Sequence, residues 1–392
     1  MSRILPPDAP VRRMAEPPLL PISQAIGIAR LVCILGVVYV HAWTGLGGDG
    51  LAAQAGSVQD VMRWTVVELF GRSAVPLLSI VSGWLVARSL AHREAGSFIE
   101  GKARTILLPM VLWNLLAMAL VLAAGWLGLA LAPLPEGGLW ATDNLLNLSR
   151  AGDVNVQTAF LRDLFLCMLA APLLVRLRTR WLLLLIAGAA LWAIGGWQLY
   201  LLLRPSILIF FAAGILARRH GLAERLGLLT PWIAALPFAT IVPLKIWLSI
   251  QAEAAAGSAA HHVELVNAVD LLLRAAAGLL VWRAAVALAR GPLCPRLLGF
   301  ERYAFFLFCS HLIFMWLLAP AIGGATGPMG NPGWPLFFLA QPLLCLGFAM
   351  LLAIAIEAVS PRAARILSGG RLGSAQTASP AAAPLAQPHW KL

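Results

Sequence analysis

The stretch IGIARLVCILGVVYVHAW, Ile26–Trp43, decides how this chain folds, because ionisable residues interrupt its apolar run at only two places, Arg30 and His41. They stand eleven residues apart. On an α-helix that is a rise of roughly 16 Å and about 20° from a whole number of turns, so both side chains project from one face. An apolar run of this length is a membrane-spanning segment. An arginine inside one costs on the order of 3 kcal/mol at the bilayer centre, which makes the pair the mark of a polar track through a membrane.

The rest of the chain agrees. Its 392 residues are 60% hydrophobic and 12% charged, with a mean hydropathy of +0.83, too little charge for a water-facing surface. Apolar stretches of about 20 residues recur throughout, whereas the alternating strands of about 10 residues that build membrane barrels do not. The fold class is therefore all-α, a polytopic integral membrane protein. Ten spans are predicted, at 22–46, 66–90, 105–131, 157–176, 181–199, 203–218, 230–250, 266–289, 303–321 and 336–359. They form one membrane domain over 21–360, between a cytoplasmic N-terminal segment, 1–20, and a disordered cytoplasmic tail, 361–392. The first apolar run is too long for a cleaved signal peptide and reads as an uncleaved anchor.

Charge fixes the orientation. Basic residues cluster in alternate loops, among them His92, Arg93, Lys102 and Arg104, then Arg176, Arg178 and Arg180, then Arg290, Arg296 and Arg302. The intervening loops are poor in Lys and Arg, so both termini are expected in the cytoplasm. The same loops account for the net charge of +12 without nucleic acid, which has no soluble domain here to bind it. Five cysteines in or beside spans suggest neither a disulfide framework nor a zinc site. No metal is expected, and His261 and His262 read as loop residues.

Ionisable residues inside spans are the functional candidates, since they face a protein interior or a wet cavity. In the expected orientation His41, Arg72, Arg162 and Asp163 fall in the outer third, His311 in the middle and Arg30 in the inner half. Arg162 and Asp163 point about 100° apart on a helix, so Asp163 is expected to pair with Arg72 or another cation from a different helix. Arg204 and Arg274, near span ends, read as snorkelling side chains. No Walker loop, GxGxxG turn, HExxH or GxSxG elbow is present.

In order along the chain, these segments resemble the membrane acyltransferase type 3 family. Arg30 and His41 look like its R-x10-H first-helix signature. GRSAVPLLSIVSGWL, with Arg72, Pro76, Ser82 and Gly83, resembles its second-helix segment, and KARTILLPMVLW resembles the start of its third. TAFLRDLFLCMLAAPLL is similar to the WFLrdL-like fourth segment of one branch, the fucose-O-acetylase-like one. ILIFFAAGILARR and YAFFLFCSHLIF, with His311, complete the order. The chain departs from the pattern at Ala159, Ala304 and Phe308, where the family carries Trp, Ser and Tyr.

The resemblance implies transfer of an acyl group, most often acetyl from acetyl-CoA, to a carbohydrate hydroxyl. The acceptor would be a surface polysaccharide or a lipid-linked glycan precursor, and the location a bacterial cytoplasmic (inner) membrane. On this reading coenzyme A phosphates dock on Lys102, Arg104 and Arg176, with Arg30 lining the path. His41 acts as general base or acyl relay, Arg72 or Arg162 stabilises the oxyanion, and Asp163 orients His41 or an arginine. His311 joins the catalytic set. Two other readings remain open at this point: a transporter or flippase using Arg30, His41 and Asp163 as a proton path, and a membrane scaffold.

Overall fold

A computed structural model describes residues 21–129, 139–149, 154–199, 201–254 and 263–372, which contain helices and no strand. The segment 1–20, the tail beyond 372, His261 and His262 lie outside the described residues. Ten principal helices follow in order: α1 (Ile22–Val40), α2 (Val58–Ser89), α3 (Ala95–Trp126), α4 (Val156–Leu174), α5 (Thr179–Gly195), α6 (Ser206–Arg219), α7 (Pro231–Ala254), α8 (Val263–Ala289), α9 (Cys294–Leu317) and α10 (Trp334–Val359).

Each predicted span coincides with one of them, and eight are long and apolar enough to cross a membrane. The expected fifth and sixth spans are shorter helices, of 17 residues for α5 and 14 for α6. At 1.5 Å per residue α6 rises roughly 21 Å, less than a hydrocarbon core of about 30 Å.

α1 is the central post, packed against α2, α8, α9 and α10, with Ala25, Ile28, Ala29, Cys33 and Val38 buried. Its neighbours come close because small residues let them. A Cβ on Gly36 would lie 2.2 Å from the Phe70 carbonyl oxygen of α2. α2 and α6 cross at a reciprocal pair: a Cβ on Gly83 would sit 2.0 Å from the Phe211 carbonyl oxygen, and one on Gly214 would sit 2.1 Å from that of Ile80. Contacts of this kind replace the hydrophobic drive that water supplies to soluble helices.

Two of the long helices carry a π-helical turn, Val67–Gly71 in α2 and Ala103–Leu107 in α3. Such turns hold an extra residue at a cost and are frequent at functional sites. The first aims Glu68 into the protein, where it is wholly buried.

Residues 361–372, the described part of the expected disordered tail 361–392, are ordered. Ser360 caps a short helix, Pro361–Leu367, by accepting the N–H of Ala363. Gly369 (φ +61°) and Gly370 (φ +88°) then take the left-handed backbone that favours glycine. The turn brings Leu372 into the core, beside a hydrogen bond of 2.9 Å from Trp113 Nε1 to the Leu367 carbonyl.

Candidate active site: three adjoining cavities

His41 ends α1 as its C-terminal cap and faces a cavity of about 140 Å³ whose polar wall also includes Arg72, Gln157, Arg204 and Arg274. His311 of α9 is wholly buried, with its ring centroid 5.5 Å from that of His41. Its Nδ1 lies 2.9 Å from the Phe308 carbonyl oxygen and 3.3 Å from that of Leu307. A carbonyl can only accept, so Nδ1 carries the proton and the Nε2 lone pair is left. Nε2 is buried with no hydrogen-bond partner.

Asp163 pairs with its own neighbour, not across helices as expected. Arg162 Nη1 lies 2.7 Å from Asp163 Oδ1 and donates to the Leu201 carbonyl at 3.1 Å. The long, jointed arginine side chain bridges the angle that separates the two Cβ directions. Asp163 is fully buried and accepts the backbone N–H of Leu203 at 3.3 Å and of Arg204 at 2.8 Å. It thereby fixes the turn that carries Arg204 into the cavity of His41. Neither Arg162 nor Asp163 lines that cavity. Arg204 and Arg274 do, so they are wall residues of the site and not snorkelling side chains.

Behind Arg72 lies an ionic cluster that the sequence reading missed. Glu68 lies 3.9 Å from Arg72 Nε and 3.8 Å from Lys245 Nζ; Lys245 is 3.9 Å from Asp270, which pairs with Arg274 at 2.6 Å. The signal was available, since Glu68, Lys245 and Asp270 each interrupt an apolar helix in the same way as Arg30.

A second cavity, of about 500 Å³, opens from the opposite end of the bundle. Arg30, Arg88, His92, Arg93, Lys102 and Arg371 line it, against the single carboxylate of Glu301. Arg30 Nη1 lies 3.5 Å from Glu301 Oε1. Arg104 and Arg176 are not in its lining; Arg104 pairs with Glu100 one turn away on the protein surface, and Arg176 is exposed. The C-terminal return places a different basic residue in the lining. Arg371 lies 4.3 Å over the Phe305 ring, enclosed by protein yet open to solvent along the cavity. Desolvation, and then the Arg30 guanidinium, push its pKa down to about 10, so it is still a cation at pH 7.

Phe160 and Phe308 line both of these cavities. Their rings meet edge to face, with centroids 5.8 Å apart and planes at 69°. On the far side, a third cavity of about 590 Å³ shares Arg204 and Arg274 with the chamber of His41. The sequence of spaces is thus basic cavity, phenyl wall, histidine chamber, outer cavity. Among the described residues no three His, Cys, Asp or Glu side chains converge as metal ligands.

A family model described as an acyltransferase domain matches residues 23–358, nearly the whole described chain. The chain belongs to the membrane acyltransferase type 3 family. It is a membrane acyltransferase, which decides against the transporter and scaffold readings. Among characterised proteins it is similar to the succinoglycan biosynthesis protein ExoH of Rhizobium meliloti, at 28% identity over 379 residues, 91% of this chain and 95% of that protein. No solved structure matches it.

Proposed function

We propose that this acyltransferase moves an acetyl group from cytoplasmic acetyl-CoA to a hydroxyl of a surface polysaccharide or lipid-linked glycan precursor, in a bacterial cytoplasmic membrane. The observation that carries the reading is the succession of three cavities joined by shared lining residues, with His41 lining the middle one and the ring of His311 buried 5.5 Å from that of His41. The relative's printed role in succinoglycan biosynthesis supports a polysaccharide acceptor.

The donor enters the basic cavity, where Arg30, Lys102 and Arg371 meet the coenzyme A phosphates as cations meet phosphate elsewhere. The pantetheine arm runs along α1, past the phenyl wall, and delivers the thioester to the chamber of His41. The acceptor hydroxyl attacks the thioester carbonyl, its proton passes to imidazole, and Arg72, Arg204 and Arg274 stabilise the tetrahedral oxyanion. Collapse breaks the C–S bond, and the imidazolium returns the proton to the departing thiolate. In the relay variant, His41 takes the acyl group from sulfur first and passes it to the hydroxyl. In both, His311, with its free Nε2 lone pair, is the second imidazole of the pair.

The test is thioester turnover by the detergent-purified protein with acetyl-CoA and extracted envelope glycans, following free thiol and acetylated glycan together. Wild type releases thiol in step with glycan acetylation. His41→Ala inserts and folds but does neither. Equal turnover in the two proteins removes His41 from the mechanism.

A further inference from the structure

The outer cavity has a chemistry of its own. At the end of α5 the chain reverses through Gly196 in the left-handed region, φ +68°, and Trp192 Nε1 donates to the Trp197 carbonyl at 2.6 Å. Both indoles line the cavity. The N–H of Trp192 is spent on this bond, so what that residue offers a ligand is its apolar ring. Further lining comes from α8. There Asn267 is anchored by its amide to the Ile194 carbonyl at 3.0 Å, and Asp270 and Arg274 form their ion pair.

That ion pair has two sides. Asp270 Oδ1 and Arg274 Nε are buried in the interior, Oδ1 towards Lys245 Nζ at 3.9 Å, while both side chains keep a partly exposed edge and line the cavity. The cavity thus gathers a carboxylate, a guanidinium and two aromatic rings in one lining, in a volume typical of small-molecule sites. A pyranose ring is the complement, since one side presents C–H bonds to an aromatic face and its rim presents hydroxyls that both donate and accept. A lipid tail would give the exposed edges of the ion pair no polar partner.

We propose that this cavity is the acceptor subsite. It holds a pyranose unit of the glycan against Trp192 and Trp197, with its hydroxyls on the exposed edges of Asp270 and Arg274, and directs the reactive hydroxyl past Arg204 into the chamber of His41. This rests on the proposed acyl transfer to a glycan.

The test uses the full chain in lipid nanodiscs, acetyl-CoA as donor, and oligosaccharides cut from base-deacylated surface polysaccharide of the producing cell as acceptor. Trp197 is 63% exposed, so Trp197→Ala leaves the core intact; Trp192→Ala and Trp197→Phe complete the set. Both alanine variants raise the acceptor concentration for half-saturation about tenfold, the equivalent of about 1.4 kcal/mol. Donor half-saturation and acceptor-free thioester hydrolysis stay at wild-type values, and Trp197→Phe recovers most of the loss. Unchanged acceptor half-saturation in both alanine variants overturns the subsite, including the case in which the indoles only anchor the protein at the membrane interface and their loss lowers the yield of folded protein. A rise in donor half-saturation instead assigns the cavity to the donor. Failure of the underlying reading looks different, because then wild type itself cleaves thioester without acylating any glycan.

Discussion

The two histidines differ in what holds them. His41 terminates a helix and faces a cavity, whereas His311 is clamped through Nδ1 to backbone carbonyls of its own helix and has its Nε2 buried without a partner. On the proposed mechanism it acts through Nε2 alone. His311→Gln, which nearly conserves volume, is expected to lower kcat about a hundredfold or more at saturating substrates, with both half-saturation constants close to wild type; initial rates over a grid of donor and acceptor concentrations check this. Arg30, His41, Arg72 and His311 stood out in the sequence because a charge or imidazole in lipid has to be explained, and the first three line cavities. The partner of Asp163 was not, because side-chain length and backbone N–H groups, here those of Leu203 and Arg204, override a simple angular rule. Arg204 and Arg274 were misread for a related reason: a cation near a helix end can reach outward to water or inward to a cavity, and only packing decides.

Among the helices, the apolar cores were readable from hydropathy and the ends were not. α2 begins at Val58, eight residues before the predicted span, because Ser57 caps it by accepting the N–H of Asp60 at 3.2 Å, and its first turns carry too much charge to register as apolar. The short α6 owes its place to the close crossing with α2, and that gives a contrast to measure. Gly214→Leu forces a side chain into the backbone of α2 and is expected to cost about 3 kcal/mol or more, seen as a lower thermal midpoint in detergent and a smaller folded fraction. Gly188→Leu, on α5, meets open space and is expected to leave the midpoint within about 0.5 kcal/mol of wild type. The π-helical turns escaped the sequence reading, since an inserted residue leaves no trace in a hydropathy average.

Taken whole, the molecule is a central helix with a basic cavity at one end of the bundle and an indole-lined cavity at the other. The basic cavity is completed from the far end of the chain, by Arg371. Arg371→Gln is expected to raise donor half-saturation about tenfold and to make donor binding less sensitive to added salt, with acceptor half-saturation unchanged. The sign of the pH effect follows from a lowered cationic pKa. The charge is present at neutral pH and is lost only as pH climbs through about 10, so the contribution of Arg371 to donor binding is flat from about pH 6 to 8 and declines above. Two cavities approaching each other from opposite ends also have an electrical consequence. Where water fills both, the voltage across the membrane falls over the Phe160–Phe308 wall and not over the whole hydrocarbon thickness. A unit charge crossing that wall would do work of about 2.3 kcal/mol per 100 mV, whereas a neutral acyl thioester crosses without electrical work. On the proposed mechanism, the two phenyl rings would let acyl groups pass outward without short-circuiting an ion gradient.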